Sequence, residues 1–146
     1  MAVTPNRQRL KKLMGITEEV PRRMNVISVT GATKVLSATD SGALVLMANA
    51  GGICTITLPA PDVGLHFEIY AATEQLHKIQ TDSEATILQG NYRHNTNATT
   101  IVRVAVVDRK SITLGSNKAI GDRLEFWSDG TNWYIDGIIN DASVLA

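Results

Sequence analysis

The residues of this chain whose side chains could do chemistry are three histidines, one cysteine and a few carboxylates within strand-like runs. His66, His77 and His94 are too far apart in sequence, and too poorly matched to carboxylates, to form a recognisable metal-ligand pattern. The spacing leaves open a single-ligand site shared by several copies on a symmetry axis. Cys54 has no second cysteine to pair with and lies in an apolar run, the setting of a buried, inert thiol rather than a nucleophile. Glu68 and Glu125 are the pair to weigh as acid and base of a glycoside hydrolase, because such carboxylates can sit on distant strands. The simpler reading is that both face solvent from a strand. Ser41-Gly42 and Ser128-Asp129-Gly130 read as turns, since neither forms a nucleophile elbow. Gly51-Gly52 lacks the lysine and spacing of a phosphate-binding loop. No catalytic residue, metal or cofactor is assigned, and the expectation is that the protein is not an enzyme.

The elements that must position these residues are short and alternate with period two. Strands are predicted over 25–30, 33–38, 43–47, 53–58, 65–73, 77–81, 85–89, 99–107, 111–114, 122–128 and 132–138. Gly, Pro, Asn and Asp clusters punctuate them, including Asp40-Ser41-Gly42, Pro59-Ala60-Pro61 and Asn95-Thr96-Asn97. The clearest hairpin is LEFWSDGTNWYI. Leu124, Phe126 and Ser128 point one way, and Glu125 and Trp127 the other. Trp133 and Ile135 alternate with Tyr134 and Asp136, and Asp129-Gly130 forms the turn. One face is core; the other carries an aromatic for a neighbouring subunit or a glycan, with Trp127 and Trp133 as the candidates. No repeat of solenoid length is visible. The expected fold is all-β, a jelly-roll-like or Greek-key sandwich.

With 146 residues the chain fits one domain. Charged residues are only 19%, so Thr, Asn, Ser and Gly must cover much of the surface, which suits packing against copies of the same chain. Formal charge is zero but unevenly placed. Residues 1–24 carry Arg7, Arg9, Lys11, Lys12, Arg22 and Arg23 against Glu18 and Glu19, a net of +4, leaving −4 on the rest. Within this arm Thr4 and Pro5 fit a helix start and Gly15 a helix stop, while Leu10, Leu13 and Met14 make a small apolar stripe. So short a helix is marginal alone and orders best against a partner. The chain divides into an arm and linker, 1–24, and a β-sandwich body, 25–146. The arm has no aromatic for base stacking, and the body is acidic, so nucleic acid is not the expected partner. No apolar run reaches membrane-spanning length and no secretory leader is visible.

Two segments resemble virion proteins of tailed bacteriophages. Thr39 to Phe67, with TDSGA, TITLPAP and GLHF, and Gly121 to Gly137, GDRLEFWSDGTNWYIDG, are similar to stretches of small β-sandwich decoration (cement) proteins and of tail-spike or fibre proteins. The resemblance implies a homotrimer made in the host cytoplasm. It would sit on the capsid exterior and bridge neighbouring copies of the major capsid protein. In that setting Leu10, Leu13 and Met14 would anchor the arm. Arg7, Arg9, Lys11 and Lys12 would pair with capsid carboxylates, and Arg22 and Arg23 would contact the surface where the arm leaves the body. The alternatives are a tail-fibre or spike component that binds a host receptor or glycan, and a free carbohydrate-binding or enzymatic β-sandwich.

Overall fold

A computed structural model describes residues 24–97, 100–114, 120–140 and 144–145. The arm expected to be partly helical, with the expected docking residues Arg7, Arg9, Leu10, Lys11, Lys12, Leu13, Met14, Arg22 and Arg23, lies outside the described residues. The described part is all-β: β1 (Val26–Val29), β2 (Thr33–Val35), β3 (Leu44–Met47), β4 (Thr55–Thr57), β5 (Val63–Ala71), β6 (His77–Gln80), β7 (Leu88–Asn97), β8 (Thr100–Arg109), β9 (Ser111–Leu114), β10 (Arg123–Asp129), β11 (Trp133–Ile139) and β12 (Val144–Leu145). A single 3-10 turn, Ala38–Asp40, rounds the corner between β2 and β3. There the Asp40 carboxylate accepts the Ser37 backbone N–H at 2.9 Å. That bond, more than any charge, holds its pKa below the ordinary value.

The strands form two sheets. A seven-stranded sheet runs β1-β3-β5-β10-β11-β7-β8 and a five-stranded sheet runs β12-β9-β6-β4-β2. The chain changes sheet at every step from β1 to β6, and each strand lies parallel to the one two steps earlier. The first half is therefore wound as three stacked coils. Jelly rolls and Greek keys are built from antiparallel neighbours, so this connectivity replaces the expected one, while the two-sheet, all-β architecture stands. The coils escape detection as a repeat because their lengths differ. Val26 stands beside Leu44 and Leu44 beside Glu68, very unequal steps along the chain.

One hydrophobic core lies between the sheets. Val45, Met47, Phe67, Ile69, Phe126 and Trp133 enter from the larger sheet, and Ile56, Leu58, Ile79, Ile112 and Leu114 from the smaller. Period-two alternation chooses the face. On β5, Leu65, Phe67, Ile69 and Ala71 are buried while His66, Glu68 and Tyr70 point out. Cys54 is also buried, and burial raises its thiol pKa, which keeps it protonated.

Two buried details constrain the fold. The first is the seating of β11 against β7. Gly90 has φ +124°, and a Cβ there would stand 2.3 Å from the Ile135 carbonyl oxygen. The second is His77, fully buried at the start of β6. Its Nδ1 accepts the Cys54 N–H at 3.2 Å, and Nε2 lies 3.0 Å from Thr73 Oγ1. Thr73 donates its own proton to the Asn49 carbonyl, so the network assigns the imidazole proton to Nε2.

Strand positions agree with the sequence expectation for most elements, and β9 matches at both ends. The exception is β7. Strand was expected over 85–89 and a turn at Asn95-Thr96-Asn97, but β7 continues to Asn97. Its polar run, QGNYRHNTN, lacks strand composition. Pairing with β11 on one side and β8 on the other supplies what local propensity does not.

Substituting Gly90→Ala forces both a left-handed φ and a backbone clash, and should lower unfolding free energy by about 3 kcal/mol in a denaturant titration. A loss below about 0.5 kcal/mol would show that the β7–β11 seam relaxes freely. For His77, burial lowers the pKa from its ordinary 6.5, so the unfolded chain takes up the proton more readily. The stabilisation is complete above pH 6.5 and is lost as pH falls toward the depressed folded value. The stability advantage of wild type over His77→Gln, read from paired melts between pH 8 and 5, should therefore shrink as pH falls. A constant difference would refute the assignment.

Candidate functional site

The outer face of the seven-stranded sheet gathers most of the residues singled out from sequence. β10 lies between β5 and β11, and the registers place Trp127 beside His66 and Tyr134, Glu125 beside Glu68 and Asp136, and Arg123 beside Tyr70 and Ile138. Three rows of outward side chains result. The first is aromatic, the second acidic, the third mixed.

In the aromatic row His66 stacks against Trp127, with ring centroids 5.5 Å apart and planes 26° apart. Trp127 and Tyr134 are each 39% exposed. The Tyr134 hydroxyl donates to Asp129 Oδ2 at 3.0 Å, which raises the tyrosine pKa. Asp129 is held below its ordinary pKa chiefly by the backbone N–H of Asn132, then by that of Thr131. Both amides donate to Asp129 Oδ1 at 2.8 Å. The hairpin turn thus uses Asp129 through its carboxylate, and Gly130 alone takes the positive φ, +95°.

In the acidic row three carboxylates, Glu68, Glu125 and Asp136, stand side by side across three strands. Like charges placed so are unfavourable unless neutralised. Arg123 from the next row does this. Its Nε lies 3.1 Å from Glu68 Oε1, and its Nη2 donates to Glu125 Oε1 at 2.5 Å. These bonds, the Glu125 one foremost, raise the guanidinium pKa further. His66 Nε2 is 3.9 Å from Glu125 Oε2. The two carboxylates weighed from sequence as acid and base are therefore brought together, but on one shared guanidinium. Their arrangement is an ion-pair ladder.

Beside this ladder is a cleft of about 520 Å³ lined by Tyr70, Arg93, Arg123, Glu125, Asp136 and Asn140 among others. Buried Asp122 accepts the Asn140 N–H at 2.7 Å and so ties the start of β10 to the end of β11.

Trp133, paired with Trp127 as an aromatic for a subunit or a glycan, is placed elsewhere. It is fully buried, packs on Phe67 with centroids 5.7 Å apart, and donates its indole N–H to the Pro59 carbonyl at 3.2 Å. The reason is parity: Trp133 faces Ser128 in the register, on the core side, one residue out of phase with Tyr134. Trp127 keeps the expected outward position. Among the histidines, His77 is structural and His94 lies on β7 opposite Val102 and Ile139. Among the described residues no group of three or more His, Cys, Asp or Glu could hold a metal ion.

A second surface is the edge strand β8. Its only hydrogen-bonded neighbour among the described strands is β7. Val106 enters the core and Val104 packs against it, yet Ile101 and Val107 are 69% and 61% exposed and Val102 is exposed as well. Exposed Arg103, Asp108 and Arg109 interrupt this apolar run. Sequence reading placed this strand but not its edge position, which depends on where β7 docks. Nor did it find Arg93 or Arg123, whose neighbours come from other strands.

No protein-family model matches the sequence, and no curated protein matches it.

The two tryptophans give the outer face a direct assay. Acrylamide should quench one emitting component and spare the other, and Trp127→Phe should remove the quenchable component alone. Equal quenching of both would contradict the burial of Trp133.

Proposed function

We propose that this protein is a structural component of a tailed-phage virion, a decoration protein that binds as a homotrimer to the capsid exterior over contacts between major capsid proteins. The observation that carries the reading is β8. This ten-residue strand has β7 as its neighbour among the described strands and exposes the apolar side chains of Ile101, Val102 and Val107. The strand carries some of the usual safeguards, exposed Arg103, Asp108 and Arg109 and two register shifts against β7, yet Ile101, Val102 and Val107 stay uncovered among the described residues. Covering it with another copy of the chain removes the liability and uses the low-charge surface. The resemblance adds support: its two segments fold as β3, β4 and the first part of β5, and as the β10–β11 hairpin. In this reading the basic arm, 1–24, carries the contact with the capsid. Three arms on one trimer turn a weak contact into a firm one by avidity.

A second reading, a tail-fibre or spike component that binds a receptor, is favoured by one observation, the outward Trp127 on its histidine support.

Light scattering on the full chain is expected to give three times the 15.8 kDa chain mass. The double variant Ile101→Lys/Val107→Lys should give the single-chain mass with unchanged circular dichroism. A trimer that survives both lysines would remove β8 from the interface. Gold-labelled antibody on intact virions should decorate the head; label confined to the tail would overturn the capsid reading in favour of the second one.

A further inference from the structure

We infer that the outer face of the seven-stranded sheet, from the Trp127 platform to the cleft beside Arg123, is a binding site for a neutral oligosaccharide. The inference stands on this face alone and does not depend on the capsid reading or on β8.

Four features converge. The first is a flat aromatic surface that is exposed yet fixed. Trp127 is braced by His66, and Tyr134 is tethered to Asp129. A ring already held in place loses little freedom when a sugar face stacks on it. The second is the polar composition of the strip between the aromatic row and the cleft. Glu125, Asp136, Arg123 and Asn140 offer both acceptors and donors, the two kinds of partner that vicinal hydroxyls require. The third is charge. Arg93 and Arg123 in the cleft are balanced by Glu125 and Asp136. A phosphate or a nucleic-acid backbone would meet Glu68 and Glu125 already on the Arg123 guanidinium, whereas an uncharged, hydroxyl-rich ligand meets no such conflict. The fourth is shape. From Trp127 to Arg123 the outward residues run about 14 Å along β10 at strand rise, and the strip opens into a concave cleft of about 520 Å³. That length accommodates two or three pyranose rings, one on the aromatic row and the next in the cleft.

The face also differs from the one suited to another protein chain. The aromatic groups of this face carry polar handles, the indole N–H and the Tyr134 hydroxyl, and the rest of the strip is charged or amide apart from Tyr70 and Ile138. By contrast β8 exposes the aliphatic side chains of Ile101, Val102 and Val107, and among the described strands it pairs with β7 alone. Wet, mixed-polarity recognition belongs to the first surface and dry packing to the second.

The test is an array of neutral and acidic oligosaccharides probed with the full-length protein, followed by fluorescence titration of each saccharide that binds. At least one neutral oligosaccharide should bind and shield Trp127 from acrylamide. Trp127→Ala and Tyr134→Ala should each weaken it roughly ten-fold. Both changes are at exposed positions, so melting temperature and oligomer mass should be unchanged, which separates loss of the site from loss of the fold or of the assembly. Three results would overturn the inference: no saccharide bound at millimolar concentration; binding that persists undiminished in Trp127→Ala; or binding of acidic saccharides only, abolished by Arg93→Ala, which would make the cleft an anion site.

Discussion

The larger sheet exists as one sheet because the β10–β11 hairpin lies between β5 and β7. Remove it and β1-β3-β5 and β7-β8 have no strand in common, and Leu124, Phe126, Trp133 and Ile135 leave the core. The hairpin is seated by close backbone approach on both flanks. Gly90 lets β7 meet Ile135, and Gly137 (φ +156°) lets β11 pass within contact of Arg123 and Leu124. In each case a side chain would hold the strands apart. A segment near the C-terminal end thus completes a sheet begun by strands from the first half, and most of the stabilising contacts join residues distant in sequence. Such topologies close late and fold slowly.

The same insertion creates the outer face. Because β10 is central, its outward residues acquire neighbours on both sides, His66, Glu68 and Tyr70 from β5 and Tyr134, Asp136 and Ile138 from β11. The rows of aromatic, acidic and basic groups follow from register and not from any local motif. Arg123 is then required. Three carboxylates in one row would repel, and a single guanidinium engaged by two of them offsets that repulsion while leaving the row ordered. The cost of ordering falls on the fold, so the aromatic platform and the cleft are in place before any partner arrives.

Two surfaces with different physics result. The central face is rigid, mixed in polarity and charge-balanced around its cleft. The β8 edge exposes Ile101, Val102 and Val107 among charged neighbours, and among the described strands β7 alone holds it in the sheet. These fit different kinds of partner, a hydrated small molecule on one and a protein chain on the other.

Much of this was readable from local pattern. Alternation at Leu124, Glu125, Phe126 and Trp127 assigns each residue to the inside or outside, because successive strand side chains point to opposite faces whatever the strand pairs with. The same rule, carried through the turn, sets Trp133 with Ile135 and against Tyr134, and that face is the buried one. Composition and turn residues were enough for an all-β chain and most of its strand positions. The partners of each strand were not legible. That β1, β3 and β5 stack in parallel, that polar β7 is a strand through Asn97, that β8 is an edge, and that Glu68 and Glu125 share Arg123 all depend on contacts between distant segments. The amino-acid sequence by itself determined which side of a strand each residue occupies, since that is a property of the extended backbone. Only the tertiary structure decided which residues stand beside one another, because register is set by the joint packing of the core and the close approaches at Gly90 and Gly137.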